Sequence, residues 1–136
     1  MKMMEGDKPG AVIGSSRQGT REVRRKRYFS GLAAERIAAI WLTLKGYRIL
    51  GTRVRTAAGE IDLIAVRGRR LAFVEVKRRA TRLKAEASLS VRQRRRVRAA
   101  AQLWLARNPR FQAREFGFDV VFLVGRSWPV HLRDAL

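Results

Sequence analysis

Apolar residues return along this chain at two different intervals, every three to four positions in some stretches and every second position in others. The switches between them predict the elements. From Ser30 onward Ala34, Ile37, Ala38, Trp41 and Leu44 recur at helical spacing, and Gly46 stands where a helix C-terminus favours glycine. Three runs then read as strands, about Tyr47 to Arg55, Glu60 to Val66 and Leu71 to Arg78, separated by Ala57-Ala58-Gly59 and Arg67-Gly68-Arg69-Arg70. Both connectors hold the glycine that hairpin turns favour, so the three strands predict a meander. Helical spacing resumes from Ser90 to about Arg107, with Val97, Ala101, Trp104 and Leu105 as the buried stripe and Asn108-Pro109 as the stop. Phe116 to Val124 reads as an apolar strand interrupted by Gly117 and Asp119, and a short strand near Pro129 to Leu132 finishes the edge. A helix between two strands normally makes a right-handed crossover, which puts 116–124 parallel beside 71–78. The expectation is an α/β fold of αβββαββ order, a mixed β-sheet flanked by helices.

Two of those strands carry charge where apolar residues are the rule. In Gly59-Glu60-Ile61-Asp62-Leu63-Ile64-Ala65, Glu60 and Asp62 share one face by the period of two, and Ile61, Leu63 and Ala65 share the other. In Phe73-Val74-Glu75-Val76-Lys77, Glu75 and Lys77 project together, away from Val74 and Val76. If the two strands pair, two carboxylates and an ammonium converge on one patch. Two carboxylates at one point repel each other unless a hard cation lies between them, and Mg2+ takes one or two protein carboxylates while leaving places for water and phosphate. Such an ion lowers the pKa of bound water and polarises a phosphodiester, and Lys77 is placed to orient the water or steady the phosphate. Taken alone, V-E-V-K is an ordinary solvated strand face. The two runs at hairpin spacing favour a metal site at Asp62 and Glu75, with Mg2+ or Mn2+ as the ion.

The Gly59 to Ala65 run, the Phe73 to Lys77 run and Glu35 within Gly31-Leu32-Ala33-Ala34-Glu35 resemble the YraN-type family of bacterial predicted endonucleases. That family is similar to archaeal Holliday-junction resolvases within the PD-(D/E)xK nuclease superfamily, and the resemblance spans roughly Tyr28 to Leu136. It implies a restriction-endonuclease-like core, Asp62 and Glu75 as metal ligands, Lys77 as the catalytic lysine and Glu35 as a further acidic group. It also matches Gln93 to a glutamine of the following helix. Ile61 stands in the proline place of the superfamily motif, and Arg53 and Arg78 stand where the family pattern has Asn and Thr. Read from the residues alone, Glu35 also suits a solvated helix start, where a carboxylate meets the helix dipole favourably. Ser90-Val91-Arg92-Gln93 likewise reads as a capping box, in which Gln93 satisfies the backbone of Ser90.

At 136 residues with 46% hydrophobic positions, the chain is sized for one core. Residues 1–27, ending in Arg24-Arg25-Lys26-Arg27, read as a flexible basic arm before a nuclease-like domain over 28–136. The absence of cysteine excludes a disulfide framework and a thiolate metal site. The single histidine, His131, alternates with apolar residues and reads as a strand or edge residue. Asp119 is read either as a structural partner for an arginine or as a contributor near the site. Ala11-Val12-Ile13 is too short for a signal-peptide core, and no stretch is apolar enough to span a membrane. A cytoplasmic protein with no membrane partner is the expectation.

Lys and Arg number 31 against 11 acids, a formal net charge of +20. Such an excess implies a polyanionic partner, nucleic acid first and DNA before RNA, because each neutralised phosphate releases counterions. The surplus is densest from Arg67 to Arg98, bracketing the acidic runs. Arg78, Arg79, Arg82, Lys84, Arg92, Arg95 and Arg96 are therefore expected to grip phosphates, contacts that position a strand without reading its sequence. Two functions follow. One is a metal-dependent endonuclease hydrolysing phosphodiester bonds in structured or single-stranded DNA. The other is a non-catalytic DNA- or RNA-binding protein using the same fold as a platform. The resolvase-like resemblance implies a homodimer, whereas the arginine-rich surface opposes self-association.

Overall fold

In the computed structural model the described residues are 13–81, 83–84 and 89–136, with 13–18 and 26–30 described by their backbone alone. The elements are α1 (Ile13–Leu44), β1 (Arg48–Thr56), β2 (Gly59–Arg67), β3 (Arg70–Arg79), α2 (Val91–Arg107), a 3-10 turn at Pro109–Phe111, β4 (Glu115–Val124) and β5 (Val130–Leu132). The chain divides after Gly31 into two compact units. The first contains the opening stretch of α1, whose side chains at 19–25 are exposed. The helix therefore starts well before Ser30 and takes in residues 13–27 of the expected flexible basic arm, whose residues 1–12 lie outside the described residues. Arg, Lys, Glu and Gln keep most of their rotamer freedom in a helix, so a charged stretch without apolar periodicity still propagates one.

The second unit, Leu32–Leu136, holds the sheet. Its five strands lie in the order β1-β2-β3-β4-β5, antiparallel except for the parallel pair β3 and β4. This is the expected mixed sheet flanked by helices, compatible with a restriction-endonuclease-like core. The α2 crossover forces the parallel pair, and β3 becomes the central strand.

Each face of the sheet has its own core. On one, Ala34, Ala38 and Leu42 of α1 pack with Tyr47, Leu63, Ala65, Ala72, Val74, Val121 and Leu123. On the other, Val97, Ala100 and Ala101 of α2 pack with Ile61, Ile64, Leu71, Phe73, Val120 and Phe122. Burying each large side chain contributes about 1.5–3 kcal/mol. The buried line of α1 is the i, i+4 row through Ala34, Ala38 and Leu42; Ile37 and Leu44, expected in it, are 46% and 77% exposed. Small residues on that row let the helix approach the sheet. The expected stripe thus holds at Ala34 and Ala38, and the buried line runs on to Leu42 instead of Leu44. At its end Gly46 (φ +91) closes α1 with the Gly46 N–H donating to Thr43 O and the Tyr47 N–H to Leu42 O. That pair of hydrogen bonds is the Schellman arrangement the glycine predicted.

Candidate metal and phosphate site

The pairing of β2 with β3 runs from Arg67↔Arg70 to Leu63↔Val74 and ends there. Beyond it, β2 continues against β1 through Ile61↔Val54 and Glu60↔Arg55, while β3 continues against β4 through Glu75↔Val120 and Lys77↔Phe122. The two strands fork, and Asp62 and Glu75 are the first residues past the fork. The alternation of β2 also breaks there: Ile61 packs on the α2 side and Leu63 on the α1 side, so Ile61, Leu63 and Ala65 do not share the face that a strict period of two assigned them. The fork strands the backbone N–H of Val76, and Asp62 Oδ2 accepts it at 2.8 Å. A buried backbone donor needs a partner, and here a carboxylate replaces the missing strand.

Glu75 lies on the α2 face, buried at 6% exposure. Gln93 Nε2 donates to its Oε1 at 2.7 Å, Lys77 Nζ is 3.7 Å from the same oxygen, and Arg96 Nη2 is 4.0 Å away. Only half of the capping box forms at Gln93. Its backbone N–H donates to Ser90 Oγ at 3.1 Å, the helix cap, while its side chain turns to Glu75 and not to the Ser90 backbone. Gly59, at φ +140, admits Arg96 past it, since a Cβ there would lie 2.9 Å from the arginine Cδ.

Electrostatics mark this corner. Burial pushes Asp62 up to about 7, and the charge of Glu75 pushes the same way against the Val76 N–H. Burial likewise raises Glu75, opposed by Lys77, Arg96 and Gln93. Burial lowers the Lys77 ammonium while Glu75 holds it up. The repulsion that Asp62 feels from Glu75 is of the kind that a hard divalent cation relieves. On the α1 side, Glu35, Glu60 and Asp62 each bring a carboxylate oxygen within 4.8 Å of the other two. Glu60 is absent from the expected ligand set, although the strand period had put it beside Asp62. Glu35 is also held by Arg53, whose Nε donates to its Oε2 at 2.6 Å. Arg53 has φ +47, a conformation that Asn adopts with less strain and that costs other residues roughly 1–3 kcal/mol. No sequence signal announced that pairing.

Glu75, Lys77, Gln93, Arg92 and Arg96 line an open cavity of about 610 Å³, with Ala58 and Ser90. Of the expected phosphate-binding residues, Arg92 and Arg96 thus join the carboxylate. Arg78, Lys84 and Arg95 are exposed, Arg79 is half-buried, and Arg82 lies outside the described residues. Asp119 stands apart, on the α1 face, clasped by Arg70 at 2.7 and 2.6 Å and by His131 at 2.8 Å. It is the arginine partner, and His131 lies in β5 as an edge-strand residue. No helix among the described residues is long and apolar enough to cross a membrane.

The family model described as "Uncharacterised protein family UPF0102" matches residues 34–123, which include the fork and both cores. A UPF0102 protein of Methylorubrum extorquens is 49% identical over 112 residues, 82% of this chain and 88% of the relative. One of Parvibaculum lavamentivorans is 46% identical over 121 residues, 89% and 91% of the two chains. One of Maricaulis maris is 47% identical over 112 residues, 82% and 88%.

Proposed function

The chain belongs to the uncharacterised protein family UPF0102, and from its site we propose that it is a Mg2+- or Mn2+-dependent endonuclease. It hydrolyses phosphodiester bonds in structured or single-stranded DNA, in the cytoplasm. One observation carries this reading: at the strand fork Asp62 is raised by burial and by the charge of Glu75, and Glu75 opens beside a lysine onto an arginine-lined cavity.

Asp62 and Glu75 hold the ion, with Glu35 and Glu60 close to Asp62 as further acids. When bound, the ion activates a water and polarises the scissile phosphate. Gln93 fixes the Glu75 carboxylate through its 2.7 Å hydrogen bond. Lys77, partly buried and kept protonated by Glu75, stabilises charge gathering on the phosphate oxygens. Arg92 and Arg96 bind the phosphates flanking the cut, with Arg78, Arg79, Arg82, Lys84 and Arg95 extending the track. The assay is cleavage of labelled branched and single-stranded DNA with and without divalent metal. Wild type cuts only with metal, and Asp62→Asn and Lys77→Ala each lose about a hundredfold.

A non-catalytic DNA- or RNA-binding platform is the second reading. It is favoured by the engagement of Glu75 with Gln93, Lys77 and Arg96 within the protein itself. Equal trace cleavage by all three proteins, with binding intact, selects it.

A further inference from the structure

The α1 face of the sheet carries a second constellation, none of whose members belongs to the fork. Lys45, just past α1, places its Nζ 2.7 Å from Nδ1 of His131 on β5. The other ring nitrogen, His131 Nε2, is 2.8 Å from Asp119 Oδ2 on β4. The His131 side chain is 1% exposed and that of Asp119 0%, whereas Lys45 reaches solvent. Amine, imidazole and carboxylate thus form a line from the surface to the interior, in the order that activates a nucleophile through a base held by a buried acid.

Asp119 is fixed as an anion. Arg70 grips both its oxygens, and the backbone N–H of Asp134 donates to Oδ1 at 2.9 Å. A permanent negative charge at Nε2 orients the ring and stabilises the imidazolium that forms when Nδ1 takes a proton. At the outer end, partial burial pushes the Lys45 ammonium below its ordinary value. The guanidiniums of Arg67, Arg133 and Arg70 add to this, and Asp119 opposes it. Arg67 is held there, donating to Lys45 O at 3.0 Å with its guanidinium 4.8 Å from the Tyr47 ring centroid. Arg133 is exposed two residues after His131.

We propose that Lys45 is a nucleophilic amine, with His131 as its base, that accepts an acyl group from an acyl phosphate. The neutral Nζ attacks the acyl carbonyl carbon and a C–N bond forms. The C–O bond to phosphate then breaks, and inorganic phosphate leaves with that electron pair. The proton lost by nitrogen passes to His131 Nδ1 and on to the departing phosphate, so the product is an amide at Lys45 and no electrons are exchanged with another group. Arg67 and Arg133 give the reason for an acyl phosphate over a neutral acyl donor, because their charges flank the amine where the dianion would sit.

The test uses the full-length protein with acetyl phosphate, read by peptide mass spectrometry of each lysine over time. Lys45 acetylates about tenfold faster than the exposed Lys84 in the same molecules. Equal rates at the two lysines overturn the proposal. Arg133→Ala, a surface change that leaves the buried line intact, slows Lys45 labelling by acetyl phosphate but not by an uncharged acetyl thioester; equal slowing with both donors removes the acyl-phosphate assignment. His131→Gln, checked for folding by circular dichroism, brings Lys45 down to the Lys84 rate with either donor, and an unchanged rate in the folded variant removes His131 as the base.

Discussion

Asp62 and Asp119 are aspartates on neighbouring stretches of the same sheet, held in opposite ways. Asp119 has no exposed side-chain surface, and burial alone would raise it; Arg70, His131 and the Asp134 N–H instead hold it well below the usual carboxylate range. Asp62 is only partly buried, yet that burial and then the charge of Glu75 raise it to about 7 against the single Val76 N–H that donates to it. Depth of burial therefore does not decide which acid stays ionised. The number and sign of the groups facing it do. Around Asp119 the protein has supplied every partner, and the result is a strut between β3, β4 and β5. Around Asp62 it has gathered the carboxylates of Glu35, Glu60 and Glu75 with one backbone N–H against them, while Glu75 is met by Lys77, Arg96 and Gln93.

Removing a partner from the satisfied acid is the harshest way to break this contrast. Arg70→Ala leaves Asp119 buried without its guanidinium partner, and urea denaturation should show a loss of about 3–5 kcal/mol. The same denaturation across pH separates the two acids by sign. Asp62, raised in the fold from 3.8 to about 7, contributes stability that is complete below 3.8 and is lost as pH climbs through about 7. Asp119, lowered in the fold, contributes stability that is present above 3.8 and is lost as pH falls below it. Asp62→Asn should flatten the decline between 3.8 and about 7 and leave the acid limb in place. In wild type, Mn2+ should raise the thermal midpoint increasingly as pH passes about 7, and a chelator should reverse it; Asp62→Asn should show neither effect.

A smaller perturbation reaches the strut from its backbone. The Arg70 guanidinium crosses directly over Gly117, where a Cβ would lie 2.1 Å from Nη2. Gly117→Ala should destabilise by about 1–3 kcal/mol in thermal unfolding, with the fork chemistry intact. At the fork, Gln93→Ala removes one hydrogen bond to Glu75 and should cost about 1 kcal/mol. Its effect on metal-dependent cleavage should exceed that stability loss, which a simple comparison of activity and midpoint will show.

Much of the fork was legible because its parts are local. Glu75 and Lys77 lie two apart on one strand, Asp62 lies one hairpin away, and Gln93 is the third residue of a helix whose capping serine is explicit. Other features depend on the phase of packing. Ala34 and Ala38 of the expected stripe face the sheet, and the line continues to Leu42 while Ile37 and Leu44 stay exposed, a phase that the spacing of apolar residues alone leaves open. Arg53 reaches Glu35 only because β1 shifts register between Ile49 and Gly51 and then turns to positive φ. The partner of Asp119 lies 49 residues away, and nothing in the Phe116 to Val124 run singles out Arg70 from the other arginines.

Periodicities of two and of three to four, with glycines at the turns, were sufficient for the order of strands and helices and for the two acidic runs, since these rest on interactions within a few residues. Which carboxylates crowd together, which is neutralised, and where the strands part were decided by contacts between distant segments. Those depend on how two helices pack on opposite faces of one sheet, and no short window of sequence encodes that.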